Sequence, residues 1–195
     1  MIRKPLIWKT LFSQSGTEIY EISKQLGRFP DAIITNKSLE NLEKINYKLL
    51  EEAYSKFVFI PRIATPEEYK TAIGNANLVT LHGFLRILPP EVCYRYTIFN
   101  GHPGLITRYP ELKGKDPQAR AWTEYKENPR PFHGHVIHRV VSAVDEGAVE
   151  VTAYFKTNDL YGDFNTLDSY ITELHRTAIH NWVAFLKKKC LINKL

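Results

Sequence analysis

Asn100-Gly101-His102-Pro103-Gly104 closes an apolar run that reads as a β-strand. Residues two apart on a strand face the same way, so Asn100 and His102 can converge on one pocket. Gly101 leaves room between them, and Pro103 stops the strand. An Asn amide can hold a carbonyl oxygen, and a His can move a proton near neutral pH. The competing reading is a pair of turn polar groups that satisfy local backbone. Asp145, between Val144 and Glu146-Gly147, is a carboxylate in a turn after another apolar strand, and alone it reads as a turn residue.

Two further groupings could carry chemistry. Ser13-Gln14-Ser15-Gly16-Thr17-Glu18 follows the first strand and opens the first helix, where backbone N–H groups and the helix dipole can hold a phosphate. It matches neither the dinucleotide-binding nor the nucleoside-triphosphate glycine pattern, and its other reading is an ordinary Ser/Thr helix cap. His133, His135 and His138 are spaced His-x-His-x-x-His, which invites a metal. On a regular strand His133 and His135 share a face while His138 takes the other, and no Cys or acidic residue has ligand spacing to them. No metal is expected.

The elements that must position these groups alternate in kind. Strands are expected at Leu6 to Phe12, Ala32 to Thr35, Phe57 to Ile60, Leu78 to Leu81 and Tyr96 to Phe99, and later at Gly134 to Val141 and Ala148 to Phe155. Helical periodicity runs over Thr17 to Leu26 and Leu39 to Tyr54, over a short stretch from Pro117 to Lys126, and over Thr166 to Lys188. Thr65-Pro66-Glu67-Glu68 reads as a helix start. This is the strand-helix-strand rhythm of a parallel α/β sheet.

Composition bounds the rest. The 195 residues are 44% hydrophobic and 24% charged, which suits one ordinary globular domain and excludes a disordered or disulfide-scaffold chain. Lys and Arg number 26 against 21 Asp and Glu, a mild excess that favours anionic partners such as phosphates or a polyglutamate tail without identifying one. Without a clustered basic face bearing stacking aromatics, no nucleic acid is expected, and without a long apolar run, no membrane. Cys93 and Cys190 read as buried free thiols in a reducing compartment. With no signal peptide after Met1-Ile2-Arg3-Lys4-Pro5, a cytoplasmic location is expected.

Three segments, taken in order, resemble the folate-dependent formyltransferases. Leu78 to Pro89, with Gly83-Phe84-Leu85-Arg86-Ile87-Leu88, is similar to an apolar strand followed by Gly-Phe/Tyr-Met/Leu-Arg-Ile-Leu. Phe99 to Leu105 resembles Asn-x-His-Pro-Ser-Leu-Leu, and Gly134 to Gly147 resembles the family's segment from Gly through His to Asp-x-Gly. The resemblance implies a single catalytic domain over residues 1–195 with a Rossmann-like fold: an open, mainly parallel sheet with helices on both faces. It implies Asn100, His102 and Asp145 as the catalytic trio. Phe84, Leu85, Arg86, Ile87 and Leu88, with the loop residues Val141, Ser142, Ala143 and Val144, would bind folate. Ser13, Gln14, Ser15, Gly16 and Thr17 would lie where the family holds the acceptor's phosphate.

The implied reaction moves a formyl group from 10-formyltetrahydrofolate, a co-substrate, to a small primary amine, with 5'-phosphoribosylglycinamide of purine biosynthesis the leading acceptor. Departures from the family bear on the acceptor. Ser13 to Glu18 replaces a Gly-x-Gly-Ser-Asn loop, and Glu18 near a phosphate is repulsive unless it faces away or reads an amine. Gly104 stands for the signature serine, and Thr107 for a proline. The alternatives are an amino-sugar nucleotide or other modified nucleotide as acceptor, hydrolysis of the formyl-folate, or a non-catalytic folate-binding protein. Neither a tRNA-binding domain nor a regulatory domain is expected, and a homodimer is left open.

Overall fold

A strand such as Leu78–Leu81, buried along its whole length, has no face to show water and must be covered on both sides. The structure, a computed structural model, describes residues 5–127, 130–157, 164 and 166–192. Its strands are β1 (Trp8–Phe12), β2 (Ala32–Thr35), β3 (Phe57–Phe59), β4 (Leu78–Leu81), β5 (Ile98–His102), β6 (Phe132–Arg139) and β7 (Val149–Lys156). They form one sheet in the order β3-β2-β1-β4-β5-β6-β7. The pairings from β3 across to β5 are parallel; β5–β6 and β6–β7 are antiparallel. The helices are α1 (Thr17–Leu26), α2 (Tyr47–Ala53), α3 (Pro66–Ile73), α4 (Pro90–Arg95), α5 (Pro117–Glu127) and α6 (Leu167–Ile192). The expected α/β class therefore holds, with two antiparallel strands completing one edge.

Strand alternation feeds two opposite cores. Leu11, Ile34, Val79, Leu81 and Ile98 pack with Tyr69 and Ile73 of α3 and Val92 of α4. Their strand neighbours point the other way. Phe12 and Ile33 meet Ile19 of α1 and Leu49 of α2. Leu78 and Phe99 meet Trp182 and Phe185 of α6. β1 pairs with β2 on one side and β4 on the other, so successive crossovers leave in opposite directions and open a crevice beyond the C-terminal ends of these strands.

Several boundaries differ from the periodicity reading. The stretch from Leu39 to Tyr54 is not one helix. A 3-10 turn, Leu39–Lys44, precedes α2, because Asn46 caps α2 by accepting the Leu49 N–H at 3.1 Å while its own N–H goes to Ser15 O at 2.8 Å. α4 was not marked by the pattern, being six residues with only Val92 and Cys93 buried. The Thr65 start is a full capping box, with Thr65 Oγ1 accepting the Glu68 N–H and Glu68 Oε2 accepting the Thr65 N–H. Cys93 is a buried free thiol, whereas the side chain of Cys190 lies outside the described residues. Among the described residues no helix is long and apolar enough to cross a membrane.

The β6–β7 pairing leaves no room at Gly134, where an added Cβ would lie 2.1 Å from the carbonyl oxygen of Ala153. Gly134→Ala is expected to destabilise the protein by about 1–3 kcal/mol, as overpacking against backbone does. A urea midpoint equal to that of the parent would show that the two strands are not this close.

Candidate active site

β5 delivers the first two polar groups. Phe99 and Gly101 face α6, so Asn100 and His102 face the opposite way. Gly101 is required by what lies behind it: a Cβ there would stand 2.6 Å from His135 Nε2 and 2.7 Å from Trp182 Nε1. β6 then places His138 directly across from Asn100 in the antiparallel register. The alternation expected of the three histidines holds. His133 Nδ1 meets the Tyr170 hydroxyl and His135 Nδ1 meets Asn181, both on α6, while His138 turns to the β5 polar face.

Asp145 comes back to this face on the loop after β6, in a left-handed conformation (φ 56°). Its Oδ2 accepts the Gly114 N–H at 2.8 Å and lies 3.4 Å from His102 Nδ1; its Oδ1 lies 3.3 Å from His138 Nε2. His102 Nε2–H donates to the carbonyl of Leu112 at 2.9 Å. His138 Nδ1–H donates to Arg139 O at 3.0 Å, leaving Nε2 to accept from Asn100 Nδ2 at 3.2 Å. So Asn100, His102 and Asp145 do meet, and His138, which the sequence reading did not place among them, joins them. Leu112 O and Gly114 N are main-chain groups that no residue type announces.

Burial raises the Asp145 carboxyl's proton affinity, but the imidazole of His138, the Gly114 N–H and the imidazole of His102 outweigh it and hold the group below its ordinary value. His102 is held below the usual histidine value chiefly by burial, with Asp145 and the Leu112 carbonyl opposing. On the α6 side, burial pushes His135 down to about 4.

The loops expected to bind folate frame the same face. Phe84, Leu88 and Val140 share the apolar cluster beside α3 and α4. Leu88 is buried and supports the loop from beneath, while Phe84 is half-buried. Leu85, Arg86 and Ile87 stand exposed, as do Val141, Ser142, Ala143 and Val144. The expected acceptor loop divides in two. Ser13 Oγ accepts the Leu85 N–H at 3.1 Å and Gln14 folds over Gly83, so this half is stitched to the folate-side loop. Ser15 Oγ meets Thr17 Oγ1 at 2.9 Å, and Asn46 Nδ2 donates to Thr17 Oγ1 at 3.2 Å. Gly16, at φ 75°, caps α1 without a side chain, so the Ser/Thr cap does not form. Glu18 faces inward, its carboxylate 2.5 Å from Nδ1 of the buried His82, whose Nε2 is 2.9 Å from Thr80 Oγ1. Burial raises the Glu18 carboxyl, but the hydrogen bond and charge of His82 prevail and keep it below its ordinary value.

Known proteins share this architecture. The model of the formyl transferase family matches residues 32–175. A phosphoribosylglycinamide formyltransferase of Dictyostelium discoideum is 35% identical over 86 residues, and the match spans 40% of this chain and 40% of that protein's length. Among solved structures, a phosphoribosylglycinamide formyltransferase from Anaplasma phagocytophilum superposes with a TM-score of 0.77 at 22% identity, covering 98% of this chain and 88% of its own. A formyltetrahydrofolate deformylase from Pseudomonas syringae pv. tomato gives 0.74 at 15% identity, with 94% of this chain and 60% of its own covered. At these identities the structural likeness speaks for the fold.

Because Asp145 is bound more tightly to its partners when ionised, it stabilises the folded state above its unfolded value of about 3.9. That contribution fades as pH falls through the lower folded-state value. The stability difference between the parent and Asp145→Asn should therefore be full at pH 7 and shrink below about pH 4. Urea titrations at both ends of this range check it, and a difference that stays constant with pH contradicts it.

Proposed function

The chain belongs to the formyl transferase family, and from that membership we propose that it moves a formyl group from 10-formyltetrahydrofolate to a primary amine, with 5'-phosphoribosylglycinamide as the leading acceptor. The observation that carries this reading is the meeting of an amide, two imidazoles and a carboxylate at the end of β5, where Asp145 lies within 3.4 Å of His102 and 3.3 Å of His138. The name of the Dictyostelium discoideum relative supports the acceptor. The exposed apolar side chains Leu85, Ile87, Val141 and Val144, with Phe84, suit a flat heteroaromatic ring such as that of folate. The reading takes residues 1–195 as one catalytic domain working in the cytoplasm on small molecules.

The chemistry follows from the partners. The amine's attack forms a nitrogen–carbon bond and puts negative charge on the formyl oxygen. Asn100 Nδ2 carries two hydrogens, and one is taken by His138 Nε2. The other is available to that oxygen, as an oxyanion-hole donor. Protonated His102 adds a second stabilising charge, favoured by Asp145 beside its Nδ1. Asp145, with a water, carries the proton from the attacking nitrogen to the leaving nitrogen of the folate. Collapse breaks the carbon–nitrogen bond to folate and yields the formamide and tetrahydrofolate. Atoms and charge balance without a metal or an enzyme-bound acyl group.

One observation favours a second acceptor class. The loop Ser13 to Thr17 departs from the family's Gly-x-Gly-Ser-Asn pattern, and its Ser15 and Thr17 hydroxyls are bonded to each other and to Asn46, so an amino-sugar nucleotide or another modified nucleotide is the alternative substrate. A donor-consumption assay with 10-formyltetrahydrofolate tests both, using 5'-phosphoribosylglycinamide, aminodeoxysugar nucleotides and a control without amine. Turnover with the first supports the leading acceptor, and turnover only with a sugar nucleotide replaces it. Formate release without amine points to hydrolysis instead. Asn100→Ala should lower turnover about 10²–10³-fold, and near-normal turnover would remove Asn100 from its role.

A further inference from the structure

Arg120 lies in the first turns of α5, its N–H bonded to Asp116 O. Its guanidinium reaches back over the preceding segment. Nη1 donates to Glu111 O, and Nη2 donates to Leu112 O at 3.1 Å and to Lys113 O at 2.7 Å. Three successive main-chain carbonyls are thus gathered on one side chain. They are the open end of the 3-10 turn Pro110–Leu112, where carbonyls lack partners of their own and a cation is favoured.

An arginine fork ordinarily finds a carboxylate. Among the described residues Arg120 forms no ion pair, although Glu111 and Glu124 are both nearby; they go to Arg130. Among the described residues the buried Arg120 Nε has no partner. This cation is therefore committed to main-chain oxygens, and those oxygens lead directly to the reacting groups. The Leu112 carbonyl that takes Arg120 Nη2 also takes His102 Nε2–H at 2.9 Å. Two residues on, the Gly114 N–H goes to Asp145 at 2.8 Å.

We propose that Arg120 is a positioning residue for His102 and Asp145: by clamping the carbonyls of Glu111, Leu112 and Lys113 it presents Leu112 O to the imidazole and the Gly114 N–H to the carboxylate. The proposal rests on the reading of His102 and Asp145 as reacting groups. With Nε2–H held on Leu112 O, the ring has one orientation, and Nδ1 is turned to Asp145. Burial lowers the ring's proton affinity most, and the same clamp adds to that lowering. His102 is faced by Asp145 from the loop after β6, by His138 from β6 and by Arg120 from α5. Lys113, beside the clamp, is paired with Glu146 at 2.9 Å. Asp145 favours the imidazolium. Arg120 opposes it twice, by its charge and by occupying a lone pair of the carbonyl that would otherwise serve the imidazolium alone. Its removal should therefore raise the pH at which His102 loses its proton.

The test uses Arg120→Met, Arg120→Lys and Arg120→Gln in the full chain. The His102 imidazole is titrated by NMR, its signal assigned by loss in His102→Asn, and kcat and KM are measured with 10-formyltetrahydrofolate. Arg120→Met should lower kcat roughly tenfold to hundredfold, as misplacement of reacting groups does. KM for the donor should stay within about threefold, and the His102 midpoint should move up. Arg120→Lys keeps the charge without the fork, so its midpoint should stay near that of the parent while kcat recovers only in part. Should Arg120→Met fail to fold, Arg120→Gln makes the same comparison with the charge removed and donors retained. A kcat within about twofold of the parent, or a midpoint that is unmoved or lower in the uncharged variant, overturns the proposal. If the parent consumes no donor with any amine, the functional reading fails, while the midpoint still decides whether Arg120 sets the state of His102.

Discussion

The site depends on one buried carboxylate with more than one cation-forming partner. Asp145 could not lie nearly buried beside the β5 polar face as an isolated charge, because removal from water would neutralise it. What keeps it ionised comes from three separate stretches: the Gly114 N–H and the imidazoles of His138 and His102 beside it. The dependence is mutual. Each imidazole spends its other nitrogen on a main-chain carbonyl, Leu112 O for His102 and Arg139 O for His138. Neither ring is therefore free to turn away, and the carboxylate lies against two fixed imidazoles instead of two mobile ones.

That arrangement is possible because β5 has no spare thickness. On its far side Trp182 and His135 crowd the missing side chain of Gly101, so α6 presses directly on the strand that carries Asn100 and His102. Packing from α6 and hydrogen bonding from the polar face thus act on the same three residues from opposite directions. A strand held on both faces keeps its side chains in register to a fraction of an ångström, the precision that positioned chemistry requires.

Much of this was legible in the residues, and what was not has a physical reason. The bounds of α1, β2 and β4 follow from apolar periodicity because their buried faces are continuous. Thr65 and Glu68 mark the start of α3 because a capping box is a local interaction between near neighbours. Asn46 hid the break before α2, since the apolar spacing from Leu42 to Ala53 continues through a residue whose role is set by Ser15, distant in the chain. Alternation along β6 separated His138 from His133 and His135, but only the register against β5 puts His138 beside Asn100. Asp145 was singled out by family resemblance, not by spacing. The groups that fix it and His102, Gly114 N and Leu112 O, belong to the main chain and are invisible to any reading by residue type.

Glu18 shows how a local misfit can be settled elsewhere in the fold. An acidic residue at the loop expected to meet an anion is a conflict if its charge faces the ligand. The structure turns that carboxylate away, onto His82, a buried histidine whose other nitrogen rests on Thr80. Thr80 in turn takes the indole N–H of Trp8 at 2.9 Å, so the chain of polar contacts runs from the mouth of the loop down to the sheet. A buried His82 without Glu18 would lack its charged partner, and Glu18 without His82 would be an uncompensated, largely buried charge. The two residues are therefore a matched pair. The pair also leaves the loop itself to hydroxyls and main chain, with Ser15, Thr17 and Asn46 already bonded to one another. A ligand entering this loop would have to compete for those groups or approach past them.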